Sequence, residues 1–211
     1  MWKVDLFMRP AVKDKVVLIT GAGKGRGRLL AEAFSERGAC VAANDISPVN
    51  VDEVVNGIIK KGGRAKAYIE DVAKKVGAQL IIKQVEDDFG QIDILINHAA
   101  VEPRVPLLDM DEWDWHRVLD VNLTGVFLMT QSVGRVMRAQ GRGVIINLIT
   151  ETAHDESREA AFIASMNGLN GFTRQAAREL SPYGIQVYAV TSDAENVVET
   201  ILSLLNKGSK E

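Results

Sequence analysis

The octapeptide TGAGKGRG occupies residues 20–27, between a β-branched run at Val16–Thr20 and an amphipathic stretch at residues 26–37. A strand that turns sharply into a helix needs residues free of Cβ strain, and the helix start offers unpaired N–H groups and a positive dipole to a phosphate. A tight turn without a ligand is the alternative, because a glycine-rich turn alone is weak evidence. We predict a phosphate-binding loop whose ligand contacts come from Gly21, Lys24, Gly25, Arg26 and Gly27.

Short apolar runs and amphipathic stretches alternate along the whole chain. This alternation is typical of a parallel sheet covered by helices on both faces. It predicts a single doubly wound α/β domain of the Rossmann type over residues 1–211, with about six strands. We expect strands at residues 16–20, 40–44, 64–69, 92–97, 144–148 and 185–190, and helices at residues 26–37, 51–61, 80–89, 115–140, 159–180 and 194–206.

Composition excludes several classes of partner. The 211 residues are 46% hydrophobic and 25% charged, with a net charge of -3, and the basic and acidic residues are interspersed. This pattern argues against a nucleic acid or an anionic membrane as partner. No apolar run approaches the length of a bilayer span, and residues 1–9 carry charged side chains, so we expect a cytoplasmic protein. No metal site is expected, since no ligand spacing connects Cys40, His98, His116 and His154.

Asp45 follows the second predicted strand, 18 residues after Gly27. A carboxylate at this place binds the hydroxyl groups of the adenosine ribose and repels a 2′-phosphate. Asp45, with Ile46 beside it, therefore predicts NAD rather than NADP as cofactor. Lys24 argues mildly for NADP, since a base in the loop could meet a 2′-phosphate, although it could equally be a solvated surface lysine.

Three further segments share a pattern with the glycine loop: IEDV at residues 69–72, INHAA at 96–100 and VLDVNLTGVF at 118–127. Together they resemble the short-chain dehydrogenase/reductase superfamily, from about residue 13 to residue 190. The resemblance implies that Asp71 and Val72 hold the adenine and that Asn97 and Ala99 line the path of the cofactor. Asn122 matches the catalytic-site asparagine of the family, where this residue also fixes a helix bend and could be kept for folding alone.

The catalytic Tyr-x-x-x-Lys pair of that family is missing. In AAFIASMNGLNGFTR, residues 160–174, Phe162 takes the tyrosine position and Met166 the lysine position. Phenylalanine has no proton to donate and methionine has no charge to tune one, so the general acid is lost. The serine position of the family falls on Thr150 or on Ile149. We therefore expect no useful dehydrogenase activity.

Two more departures point the same way. Arg26 stands between the last two loop glycines, where the family has an apolar residue, and it could help the pyrophosphate or block the nicotinamide ring. After residue 190 the chain passes through TSD into AENVVETILSLL, which predicts that the substrate-covering segment is deleted.

Three hypotheses follow. The first is a pseudoenzyme that binds a dinucleotide, and the second is a module that binds no nucleotide and acts through assembly. Both fit the expected dimer or tetramer, which the resemblance implies through the helices at residues 115–140 and 159–180. The third is an active NAD-dependent oxidoreductase acting on a small alcohol or ketone, with substitute groups from Glu151, His154, Asp155 and Glu156.

Overall fold

One sheet of six parallel strands forms the centre of the computed structural model, which describes residues 12–150, 160–191 and 196–207. The strands of this part of the chain are β1 (Val16–Thr20), β2 (Cys40–Asp45), β3 (Arg64–Ile69), β4 (Ile94–Asn97), β5 (Gly143–Ile149) and β6 (Ile185–Thr191). Their order in the sheet is β3-β2-β1-β4-β5-β6. This order is that of a doubly wound Rossmann sheet.

The helices lie between and after the strands. They are α1 (Gly25–Glu36), α2 (Pro48–Lys60), α3 (Lys75–Phe89), α4 (Glu112–Leu119), α5 (Val126–Gln140), α6 (Ala160–Leu180) and α7 (Val197–Lys207). Both α3 and α5 end at a glycine in the left-handed conformation, Gly90 and Gly141. Glycine ends a helix in this way because it lacks the Cβ penalty.

Alternate residues of the strands supply two cores, one on each face of the sheet. Val17 and Ile19 of β1 pack with residues of α1, α2 and α7, while Val16 and Leu18 pack with residues of α3, α5 and α6. Burial of each large aliphatic side chain contributes roughly 1.5–3 kcal/mol. The structure thus confirms the predicted α/β fold with helices on both faces.

The single helix predicted over residues 115–140 is three consecutive segments. A π-helical segment, Asp120–Gly125, separates α4 from α5. Within it the Asn122 side chain turns toward the loop after β4: Oδ1 accepts the N–H of Val101 at 2.8 Å, and Nδ2 donates to the carbonyl of Val101 at 2.9 Å. The apolar periodicity does not reveal this change of helix period, although the family resemblance implies a helix bend at Asn122.

Some helix and strand limits also differ from the prediction. Helices α2 and α3 begin earlier than predicted, at Pro48 and Lys75. The prediction missed their first residues because these carry little of the apolar periodicity on which it relied. Strand β4 begins two residues later, at Ile94. Just before it, the Asp93 carboxylate accepts the backbone N–H of Val16 at 2.9 Å and so links the amino ends of β1 and β4.

The connection from β6 to α7 is short. Residues 192–196 form it, and residues 192–195 lie outside the described part of the chain. Helix α7 packs beside α1, where Arg37 and Glu199 form an ion pair of 2.8 Å. In the part of the chain that the structure describes, no helix is long and apolar enough to cross a membrane.

Candidate functional site

A cavity of about 590 Å³ lies at the carboxyl ends of β1, β2 and β4. This is the point where the strand order reverses, and open α/β sheets bind their ligands there. Most of the residues predicted to bind a cofactor line it. They are Gly21, Lys24, Asp45, Ile46, Asp71, Val72 and Ala99.

The glycines of the loop have two different surroundings: Gly27 is packed tightly against Gly21 and His98, whereas Gly25 faces open space. A Cβ on Gly27 would collide with the carbonyl of Gly21 and lie 2.7 Å from Nδ1 of His98. Gly25 has a φ of +51°, and a Cβ there would meet no atom within 4 Å. Lys24 at the N-cap makes no side-chain bond to the first turn of α1. The surface above Gly25 therefore suits a phosphate, which the N–H groups and the dipole of α1 would stabilise.

Asp45 is held in place by two backbone groups. Its Oδ2 accepts the N–H of Gly23 at 2.9 Å, and its Oδ1 accepts the N–H of Ser47 at 2.9 Å. Each carboxylate oxygen has two lone pairs, so both can still accept a ribose hydroxyl. The carboxylate thus joins the end of β2 to the phosphate-binding loop in a fixed orientation.

The loop after β3 forms the next wall of the cavity. Oδ1 of Asp71 accepts the N–H of Ala73 at 2.9 Å, which turns the chain, and Val72 is buried beside it. Asn44, which the sequence reasoning missed, donates from Nδ2 to the carbonyls of Tyr68 and Glu70 at 3.0 Å each. These bonds fix the end of β2 against the end of β3.

His98 is a second residue of the cavity that the sequence reasoning missed, although it stands within the INHAA segment. Its Nδ1 lies 3.1 Å from the carbonyl oxygen of Gly21, and its backbone N–H donates to Oγ1 of Thr20 at 3.1 Å. Burial lowers the pKa of the His98 imidazole from its ordinary value, and the charge of Arg26 lowers it further. The hydrogen bonds to Gly21 and Thr20 and the Asp45 carboxylate raise this pKa, but burial has the largest effect. A neutral imidazole with its proton on Nδ1 can donate to Gly21 and hold the loop.

Helix α4 and the start of the π-helical segment supply the far wall, which the sequence reasoning also missed. The Arg117 guanidinium lies 5.2 Å from the centre of the Trp113 ring, a cation–π contact. The helical periodicity gave no sign that this face meets the cofactor site. The wall consists of Trp113, His116, Arg117, Asp120 and Val121.

Asn97 does not line this cavity, although the family resemblance implies such a position. It is 3% exposed within β4, and its Nδ2 donates to Oδ1 of Asn147 at 2.8 Å. Asn147 in turn donates to Oγ1 of Thr173 at 2.9 Å. The amide of Asn97 therefore joins β4 to β5 and α6 inside the fold.

The positions that the resemblance assigns to the tyrosine and the lysine fall in an apolar cluster. Phe162 is 3% exposed and Met166 is 5% exposed. Neither side chain can donate or accept a proton at neutral pH. The cluster consists of Val126, Ile149, Phe162, Met166 and Leu169.

Asn122 lies beside the apolar cluster, 1% exposed. Besides its two bonds to Val101, its Nδ2 donates to Oγ of Ser165 at 3.2 Å, and Ser165 donates to the carbonyl of Phe162 at 2.7 Å. Its amide thus holds the loop after β4 against α6. Thr150 directly follows β5 and is partly buried.

The substitute groups of the third hypothesis, Glu151, His154, Asp155 and Glu156, lie outside the described residues. Within residues 12–150, 160–191 and 196–207, no group of three or more histidine, cysteine, aspartate or glutamate side chains could hold a metal ion.

A parallel Rossmann sheet, a glycine loop at its switch point and an acidic residue at the end of β2 define the dinucleotide-binding class of protein. The sequence model of the short chain dehydrogenase family matches residues 15–198. The chain belongs to this family.

Relatives and solved structures agree with this membership. An uncharacterized oxidoreductase of Thermotoga maritima is 39% identical over 193 residues, which cover 90% of this chain and 76% of the relative. A 3-oxoacyl-[acyl-carrier-protein] reductase of Synechocystis is 38% identical over 182 residues, 85% of this chain and 74% of the relative.

Two solved structures have the same fold with a cofactor bound. NAD+-bound xylitol dehydrogenase superposes with a TM-score of 0.81 at 31% identity, covering 85% of this chain and 70% of that one. A metagenomic short-chain oxidoreductase in complex with NADP superposes with a TM-score of 0.86 at 26% identity, covering 92% of this chain and 91% of that one. The fold of this chain is thus an NAD(P)-binding oxidoreductase fold.

Proposed function

We propose that this chain binds NAD(P) but does not catalyse hydride transfer by the acid–base mechanism of its family. The observation that carries the proposal is the burial of Phe162 and Met166 in the apolar cluster. These residues take the tyrosine and lysine positions of the family pattern. Loss of a positioned proton donor alone costs about 10²–10⁴ in rate.

The test compares turnover with binding in the same preparation. Relatives are named for 3-oxoacyl-[acyl-carrier-protein] and glycerol as substrates, and one structural neighbour is named for xylitol. We expect no change in NADH absorbance above the enzyme-free rate with 3-oxoacyl thioesters or polyols, while calorimetry detects nucleotide binding. Turnover in the ordinary range of about 1–10³ per second would refute the proposal of inactivity.

An active NAD-dependent oxidoreductase is the second candidate, favoured by the reductase names of the relatives. Its proton donor would come from the loop after β5. If turnover is found, the variants Glu151→Gln and His154→Gln decide the origin of the proton, because both keep the size and polarity of the side chain. A loss of turnover in either variant supports this candidate, and unchanged turnover in both leaves only Asp155 and Glu156 among its named groups.

NAD rather than NADP is the cofactor that we propose. The support is the fixed carboxylate of Asp45, whose charge would oppose a 2′-phosphate on the adenosine ribose. Titration of the protein with NADH and NADPH checks this, and tighter binding of NADPH would contradict it.

We also propose a homo-oligomer formed through α5 and α6. Phe127 on α5 is 41% exposed and Ile163 on α6 is 37% exposed, and Phe127 packs edge-on to Phe172 with 6.2 Å between ring centres. Light scattering should give a dimer or tetramer, and Phe127→Arg should weaken it, while Leu29→Arg on the exposed face of α1 should not. If the oligomer forms without nucleotide binding, assembly becomes the function to test.

A cytoplasmic location completes the proposal. The single cysteine, Cys40, is buried in β2, and burial raises the pKa of its thiol. A protonated, buried thiol is unreactive, as suits a protein of a reducing compartment. Cell fractionation checks this location.

A further inference from the structure

The cavity extends from the glycine loop toward α4 and away from the apolar cluster. Its lining comes from the glycine loop, the segments after β2, β3 and β4, and the wall on α4. No described residue of β5 or α6 lines it. The cavity can therefore hold one end of an extended ligand such as a dinucleotide.

The groups in this volume suit adenosine diphosphate. The Asp45 carboxylate offers acceptors for the hydroxyls of one ribose, and the loop with Lys24 offers donors and charge for the phosphates. Val72 and Val121 give apolar contact for a flat base. Each part of that group thus has a matching surface.

The groups on the other side do not suit a nicotinamide riboside. Phe162 and Met166 offer neither a hydroxyl nor a cation to a second ribose, and both side chains are almost fully buried. The amide of Asn122 already makes hydrogen bonds with Val101 and Ser165. The family cofactor therefore fits this chain at its adenosine end and not at the Phe162 and Met166 positions.

We infer that the ligand recognised by this chain is the adenosine diphosphate group itself. ADP-ribose and NAD then bind in the same cavity with nearly equal affinity, and the nicotinamide adds no binding free energy. This inference rests on the nucleotide-binding part of the proposed function. It extends the range of ligands from dinucleotides to any nucleotide that contains an adenosine diphosphate group.

Calorimetric titration of the full chain with ADP-ribose, NAD, NADH and GDP tests the inference. We expect the dissociation constants of ADP-ribose, NAD and NADH to agree within about fivefold, and GDP to bind at least about fivefold more weakly than ADP-ribose. Tighter binding of NAD or NADH than of ADP-ribose by more than that factor would overturn the inference but leave the proposed function standing. GDP binding as tight as ADP-ribose would also overturn it, and absence of binding by all four would refute both.

A matched pair of surface variants locates the site. Ile46, 71% exposed, lines the cavity, whereas Val49, 76% exposed, is not among its lining residues. Glutamate at either position is solvent-accessible and leaves the core intact, but at residue 46 it lies in the cavity directly after Asp45, where its charge and length would disturb the adenosine end of the ligand. We expect Ile46→Glu to weaken ADP-ribose and NAD by the same factor, with Val49→Glu unchanged. Unchanged ADP-ribose binding in Ile46→Glu would place the site elsewhere and overturn the inference.

Saturation-transfer NMR on NAD gives an independent readout. Protons of the adenine ring should receive strong saturation from the protein, and those of the nicotinamide ring much less. Equal saturation of the two rings would show that the nicotinamide is also held, against the inference.

Discussion

The backbone N–H of Gly23 donates a hydrogen bond of 2.9 Å to Oδ2 of Asp45. A Cβ on Gly23 would lie 2.8 Å from the same oxygen, so this contact requires glycine in the loop. Through it, the residue that we propose to select the nucleotide also fixes the loop that we propose to bind the phosphates. A change at Asp45 should therefore affect both functions.

Asp45→Asn should weaken NADH binding by about tenfold or more. An amide keeps one acceptor but presents N–H groups where the carboxylate accepts the N–H of Gly23 or Ser47. Calorimetry gives the change, with Asp52→Asn on the exposed face of α2 as the control. NADPH should lose less affinity than NADH, because the charge that opposes the 2′-phosphate is removed. Equal losses for both nucleotides would argue against a role of that charge.

Phe162→Ala should destabilise the fold by about 3–5 kcal/mol, since it empties a space inside the apolar cluster. Urea unfolding followed by circular dichroism measures the loss. Leu80→Ala is the control: this side chain on α3 is 42% exposed, and its truncation should lower the free energy of unfolding by only about 1 kcal/mol. Similar losses for the two variants would show that Phe162 is not packed as described.

Asn122→Ala should lower the free energy of unfolding by about 1–3 kcal/mol, because the N–H and the carbonyl of Val101 lose their hydrogen-bond partner. The control is Asn167→Ala on α6. The Asn167 side chain is exposed, and its amide donates to the carbonyl of Ile163 one turn earlier in the same helix. Thermal unfolding should show a clear fall in Tm for the first variant and little change for the second. An equal fall would mean that the link between the π-helical segment and the loop after β4 adds nothing to stability.

His98 should make the fold less stable in mild acid. Burial holds its pKa below the ordinary value of 6.5, so the unfolded chain binds a proton before the folded chain does. Stability is then complete above about pH 6.5 and falls as the pH drops from there to the folded pKa. His98→Asn, which keeps a donor toward Gly21, should flatten this part of the stability profile, whereas His116→Asn on exposed α4 should not. An unchanged profile in His98→Asn would assign the acid sensitivity to other groups.

Sequence alone predicted the fold and about a third of the residues that line the cavity. The alternation of apolar runs and amphipathic stretches requires a parallel sheet, and the carboxyl ends of such strands meet at one edge. The alternation therefore places Asp45, the glycine loop, Asp71 and Val72 at the same edge, and the strand order β3-β2-β1 makes them neighbours. The absence of the Tyr-x-x-x-Lys pair also follows from the sequence alone, which has Phe162 and Met166 at these two positions.

Only the tertiary structure decided which side chains face the cavity and which face the core. Asn97 stands in a predicted site motif, yet it bonds Asn147 on the neighbouring strand. Trp113 and Arg117 of α4 line the same cavity as the loop after β3. Burial of Met166 against Ile149 depends on the packing of α6 on β5. Local periodicity gives the face of a helix but not its partner, because contacts between residues far apart in the chain arise from packing of the whole domain.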